Sequence, residues 1–223
     1  MALILNIETA TTNCSVSVAK NGKTLAHKDD YSQGFSHAEK LHLYIDEVLK
    51  QSNTSANSLD AIAVSKGPGS YTGLRIGVSA AKGLCFALDK PLISVPTLDA
   101  LARQVNAVDG YVVPMLDARR MEVYSAVFNA SFIQIRETQA QILDETSFNE
   151  YLMETKVHFI GTGVEKTKGL IDHENAVFIE DKLPSSTDMS NLSYVKYKEG
   201  SYEDVAYFDP YYLKDFIAIK PKN

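Results

Sequence analysis

Two strand-like runs joined by a tight turn, followed by alternating helix and strand signals, occur in the same order twice along this chain. In the first round, "LILNIE" and "CSVSVAK" flank the polar cluster "TATTN", and Asn21-Gly22 marks the next reversal. Period-two alternation between such turns predicts hairpin-linked strands rather than a βαβ opening. A helix then starts at Ser36, with Glu39 three residues later completing a capping box. Ala38, Leu41, Ile45, Val48 and Leu49 line its apolar face, while His37, Lys40, Tyr44 and Glu47 fall on another. "LDAIAVS" reads as a buried strand, a second helix covers about 72–88, "LISV" is another strand, and Thr97 caps the short helix "LDALARQ".

The second round begins near Val108. "YVVPML" and "MEVYSAVF" flank Asp117-Ala118-Arg119-Arg120 as a hairpin, and "SFIQIRE" adds a third strand. "SFNEYLME" reads as a helix, "VHFIG" as a strand, and a last helix follows Pro184. The repetition predicts an α/β protein of two similar lobes, 1–106 and 107–223, each a mixed sheet with flanking helices. The last segment is free to pack back on the first lobe. A chain of 223 residues with 45% hydrophobic side chains can fill two such cores.

Charge narrows the function classes. Twenty-two basic residues stand against 28 acidic ones, a net charge of -6. A protein that grips nucleic acid alone carries a basic stripe. Here the lysines are scattered, with a weak cluster at Lys214, Lys220 and Lys222, so a partner would supply most of the field for RNA. Cys14 and Cys85 fit no CxxC pattern and read as reduced thiols of a cytosolic protein. The start "MALILNIET" has no basic n-region, and no later apolar run is long enough for a membrane span. The expectation is a cytoplasmic protein without membrane contact.

The stretch "SKGPGSYTGLRIG" invites a phosphate-loop reading. That chemistry needs a lysine and a hydroxyl directly after the last glycine, whereas Gly73 is followed by Leu74 and Arg75. Backbone N–H groups around Gly69 and Ser70, at a helix start, keep a looser anion-binding reading open beside the plain one, a tight turn. The helix itself carries Gly73, Gly77 and Ala81 at four-residue steps. Leu74, Val78, Cys85 and Leu88 form a neighbouring apolar face for the core, so the small face is left over; packing inside the same lobe is the plain reading, and a subunit interface through it is the one expected.

Other chemistries find little support. His37 and His42 point about 140° apart on a helix, the remaining histidines are isolated, and no GxSxG elbow or cysteine–histidine motif is present. Asp117 and Arg119 follow an apolar strand, where catalytic groups can sit, yet an Asp–Arg turn is ordinary hairpin chemistry. "GTG" at 161–163 closes a strand and is weak evidence for a nucleotide.

Taken in order, "ILNIETATTNCSVSV", "HAEKL", "SKGPGSYTGLRIGVSAAKGL", "DARRMEVYSAVF" and "DPYYLK" resemble the TsaB family, bacterial accessory proteins in making threonylcarbamoyladenosine next to the tRNA anticodon. The resemblance implies two actin-like (ASKHA) lobes and a shortened, metal-free relative of the TsaD enzyme, with Thr97 and Leu101 where TsaD carries its metal-binding histidines. It implies a non-catalytic scaffold that pairs with TsaD, is joined by the ATPase TsaE, forms a homodimer when alone, and meets tRNA only through the complex. The interface expected is His37, Lys40, Tyr44, Gly73, Arg75, Gly77 and Ala81. No cofactor is required by this chain; fold ancestry suggests ATP near Glu8, Thr9, Thr11, Thr12, Gly69 and Ser70, in the complex alone. Glu8 stands where these proteins often have Asp, Leu43 replaces a common proline, and Lys214 and Ile219 replace an arginine and a tryptophan. An actin-like ATPase or phosphotransferase is the alternative reading. A metalloprotease is the least supported, since no HExxH or paired histidines occur.

Overall fold

The computed structural model describes residues 1–31, 37–106 and 109–214. The capping box at Ser36, the lobe boundary near Ala107, and Ile219, Lys220 and Lys222 lie outside them. Strands β1 (Leu3–Glu8), β2 (Cys14–Lys20) and β3 (Lys23–Asp30) form an antiparallel meander, and β4 (Ala61–Ser65) and β5 (Leu92–Val95) add in parallel on the other side of β1. The sheet order is β3-β2-β1-β4-β5. A second sheet repeats it as β8-β7-β6-β9-β10, from β6 (Tyr111–Asp117), β7 (Glu122–Phe128), β8 (Gln134–Ile142), β9 (Val157–Ile160) and β10 (Ala176–Ile179).

Strand alternation decides what each face of the first sheet buries. Leu5, Ile7, Val16, Val18, Ile62 and Val64 point to one side. There they meet Leu41, Ile45 and Val48 of α1 (His37–Gln51) and Val78, Ala81 and Cys85 of α2 (Tyr71–Leu88). The opposite face is smaller and more polar, with Ile4, Ala61, Ala63 and Val95 beside Asn6, Ser15 and Ser17. It is covered by α6 (Ser186–Glu199), which follows all five strands of the second sheet in sequence; α3 (Thr97–Ala102) sets Ala100 beside it and packs Leu98, Leu101 and Ala102 on the second sheet.

Helix α6 has almost no apolar stripe, and its seat is a line of hydroxyls. Ser15 Oγ donates to Ser186 Oγ at 2.7 Å, Ser17 Oγ to the Ser186 carbonyl at 3.0 Å, and Ser193 Oγ to Asn6 Oδ1 at 2.7 Å. Every one of these groups is buried, so each needs the partner it has. Ser185 and Asp188 form a capping box at the helix start.

Three local expectations change. Thr97 is the first residue of α3, with Pro96 at the cap position; its hydroxyl accepts from the Gly67 N–H at 3.2 Å instead. The third strand of the second sheet starts at Gln134 and runs on to Ile142, because Asn129 Oδ1 accepts from the Ser131 and Ile133 N–H groups and fixes a turn there. "SFNEYLME" keeps only one helical turn, α4 (Asn149–Leu152). The short α5 (Val164–Lys168) and β10 were too brief for periodicity to mark.

Beyond α6 the chain turns back along the first lobe. Glu203 bridges to Leu92, the Lys82 ammonium donates to the Ala206 and Phe208 carbonyls, and the Tyr211 N–H donates to the Lys66 carbonyl at 2.7 Å. The Lys214 ammonium then reaches the Glu122 carboxylate on the second sheet.

Candidate functional site

The glycine-rich turn and α2 are held against the end of β1. Gly67 takes φ +106°, a conformation closed to most side chains. A Cβ on Gly73 would stand 2.1 Å from the Thr9 carbonyl oxygen, and one on Gly77 would stand 2.2 Å from the Thr9 hydroxyl oxygen. That hydroxyl donates to the Gly73 carbonyl at 2.9 Å. Ala81 is fully buried on the same stripe. The small-residue face is therefore filled by Thr9 of this same chain, which corrects the expectation that it was left over for a partner.

The residues grouped around a nucleotide are spent in the same way. Ser70 caps α2, its hydroxyl accepting from the Gly73 N–H at 3.2 Å, and its own N–H donates to the Ala10 carbonyl at 2.7 Å. Gly69 packs on Ala10, where a Cβ would stand 2.5 Å from the carbonyl oxygen. Thr11 Oγ1 accepts from the Asn13 N–H, and Thr12 alone of the six is exposed. Glu8 Oε1 accepts from the Ala10 N–H at 2.6 Å and the Ser65 hydroxyl at 2.8 Å, while Oε2 has no hydrogen-bond partner. Burial pushes the Glu8 carboxyl up to about 7, against those hydrogen bonds. Gly161 and Gly163 of "GTG" are packing glycines, closed off by the Met115 carbonyl and the Val123 side chain. In this set the Thr9 hydroxyl, the Ser70 N–H and the Gly73 N–H already serve the fold as donors. Among the described residues no group of three or more His, Cys, Asp or Glu side chains could hold a metal ion. Thr97 and Leu101 are both buried. Cys14 and Cys85 are buried thiols, pushed up to about 11 and about 12 chiefly by desolvation.

Among the described residues a groove of about 550 Å³ lies open between α1 and α2. Ala38 and His42 line one wall; Arg75, Ile76, Ser79, Ala80, Gly83 and Leu84 line the other. A Cβ on Gly83 would meet nothing within 4 Å. Leu43 and Phe86 on the same helices are 67% and 87% exposed.

The seven expected interface residues divide accordingly. Arg75 lies on the groove wall, its guanidinium 4.3 Å over the Tyr71 ring and its Nε donating to the Tyr212 hydroxyl. Gly73, Gly77 and Ala81 face inward. His37 is fully buried with Nε2 2.8 Å from the Thr11 carbonyl oxygen. Lys40 and Tyr44 both donate to Asp30 Oδ2, at 2.7 and 2.6 Å, tying α1 to the end of β3. Ala38, His42, Ile76, Ala80, Gly83 and Leu84, which also line the groove, were not among the expected residues. Their signal was present: Ile76, Ala80 and Leu84 repeat at four-residue steps, one position round from the glycine stripe.

Two lobes that repeat one sheet order, first strand central and third strand at the edge, define an actin-like α/β protein. A crystal structure from Pseudomonas aeruginosa, of an uncharacterized protein with similarity to peptidase YEAZ, has this fold: TM-score 0.86, 24% identity, over 96% of this chain and all of that one. Residues 33–207 match the family model described as TsaD: tRNA N6-adenosine threonylcarbamoyltransferase. The tRNA threonylcarbamoyladenosine biosynthesis protein TsaB of Escherichia coli (strain K12) is 31% identical over 97% of this chain and 96% of its own length. The tRNA N6-adenosine threonylcarbamoyltransferase of Staphylococcus haemolyticus is 44% identical, over 42% of this chain and 32% of that enzyme. The chain belongs to the TsaB family.

Proposed function

We infer that this protein is the non-catalytic partner subunit of the tRNA N6-adenosine threonylcarbamoyltransferase, TsaD, and that it docks on that enzyme through the α1–α2 groove. One observation carries the reading: among the described residues an apolar recess between α1 and α2 is open, while the Thr9 and Ser70 hydroxyls at the glycine-rich turn are committed to internal contacts. Burying a groove floored by small side chains lets a partner helix approach closely. A partner of related build supports it too, since residues 33–207 share a family model with that enzyme. With TsaD absent, the same groove is the surface through which two copies of the chain meet. Nucleotide and metal chemistry then belong to the assembly, and the chain's work is to hold the enzyme in a competent shape, in the cytoplasm.

Reconstitution tests this. Purified TsaD, the threonylcarbamoyl donor system and unmodified tRNA should turn over slowly or not at all until this chain is added, and the chain without TsaD should modify nothing. Equal modification with and without the chain would overturn the reading.

A further inference from the structure

The turn between β6 and β7 is absorbed by none of the roles above. Arg119 and Arg120 take φ +71° and +50° there, consecutive positive values that hairpin loops ordinarily give to Asn and Gly. Two arginines hold this conformation because the turn is clamped from below. The Lys166 ammonium, 15% exposed, donates to Asp117 Oδ1 at 2.8 Å, to the Arg120 carbonyl at 2.7 Å and to the Glu122 carbonyl at 3.0 Å. Asp117 Oδ1 accepts from the Arg119 N–H at 2.6 Å, and the Asp117 N–H donates to the Thr162 hydroxyl at 2.9 Å.

The charges around the turn do not cancel. Asp117 is matched by Lys166 and Glu122 by Lys214. Arg75, Arg103 and Arg136 all hydrogen-bond through their guanidinium groups. Arg119 and Arg120 are exposed, and among the described residues their guanidinium groups have neither a carboxylate nor any other acceptor. An acidic chain thus presents two adjacent guanidinium groups on a rigid turn at the C-terminal ends of β6 and β9, parallel strands whose ends are where such sheets bind ligands. Guanidinium is the side-chain cation best matched to phosphate oxygens.

We propose that the β6–β7 turn contacts the phosphodiester backbone of the RNA, with Arg119 and Arg120 each neutralising a phosphate and Lys166 and Asp117 holding the turn in place. The proposal rests on the reading that this chain works in tRNA modification. It goes beyond that reading by giving the chain its own RNA contact, in place of one supplied by TsaD alone. Backbone contacts of this kind add affinity and set orientation without reading sequence.

The test uses the full chain with TsaD and an unmodified tRNA transcript. Arg119→Ala/Arg120→Ala should weaken tRNA binding about tenfold near 100 mM salt, and should lower the slope of log affinity against log salt by about 1.5, two released counterions' worth. Arg119→Lys/Arg120→Lys should keep most of the slope, and both variants should leave the mass of the complex unchanged. Wild-type affinity and slope in the alanine variant would overturn the proposal. Loss of the complex with TsaD at unchanged tRNA affinity would also overturn it, making the turn a protein contact. Should the alanine variant fail to fold, phenylglyoxal labelling of the wild-type chain decides: tRNA should protect Arg119 and Arg120, and unchanged labelling contradicts the contact. If the wild-type complex does not form, the partner reading has failed, and labelling of the chain alone with tRNA decides this one.

Discussion

A Cβ added at Gly77 would lie 2.2 Å from the Thr9 hydroxyl oxygen, nearer than real Cβ atoms come to a neighbour. Gly77→Ala should therefore cost about 1–3 kcal/mol, as overpacking of a closed core does. The cost should shrink in a Thr9→Ala background, since the clash and its relief are one contact; urea unfolding of the four proteins measures the coupling, and additive losses would contradict it. Glu8 supplies a second test. Its folded carboxyl is raised to about 7 from an ordinary 4.5, so the folded chain holds that proton more tightly than the unfolded one. The associated stability is present below about pH 4.5 and is lost as pH rises through about 7, a fall of about 3 kcal/mol. Asp188, raised to about 6 chiefly by burial, adds a fall of the same sign over a lower window. Glu8→Gln should melt higher than wild type at pH 8 and close to it at pH 5. The same offset at both pH values would show that Glu8 does not titrate there. The glycine stripe was visible in the sequence, but the atom that fills it belongs to a residue more than sixty positions away, and no local pattern encodes that neighbour.

Helix α2 carries two stripes of small and apolar side chains, and only the folded chain shows which one it covers itself. Gly73, Gly77 and Ala81 lie inside, whereas Ile76, Ala80, Gly83 and Leu84 face the groove. Periodicity places residues on a common face and is silent about what meets that face, which is why a stripe that the fold buries on Thr9 was expected to be open. Gly83→Trp separates the two stripes experimentally: it should fill the groove, lower the affinity for TsaD at least tenfold, and shift the melting temperature little, because a Cβ there meets open space. A large loss of stability without loss of affinity would reverse that assignment. Helix α6 was legible as a helix following Pro184, but its docking was not, since serines rather than an apolar stripe make its seat. Ser193→Ala leaves Asn6 Oδ1 buried without that donor and should cost about 1–3 kcal/mol in urea unfolding; a cost near zero would show the seat to be loosely packed.

Over the whole molecule, the doubled order of strands and helices was enough to predict two α/β lobes, because hairpins, short loops and right-handed crossovers leave few ways to lay such a chain down. The crossing of α6 onto the first sheet, and of the tail onto α2 and back to Glu122, depends on contacts between segments a hundred residues apart. Those crossings also tie the lobes together, so the groove on the first lobe and the arginine turn on the second stand on one connected body. The central claim is that the α1–α2 groove is where this chain meets its enzyme. Sedimentation of an equimolar mixture with TsaD tests it most directly. The wild-type chain should form a species of the summed mass, and Gly83→Trp, folded by its melting curve, should sediment apart from TsaD. A Gly83→Trp chain that assembles with wild-type affinity would contradict the account.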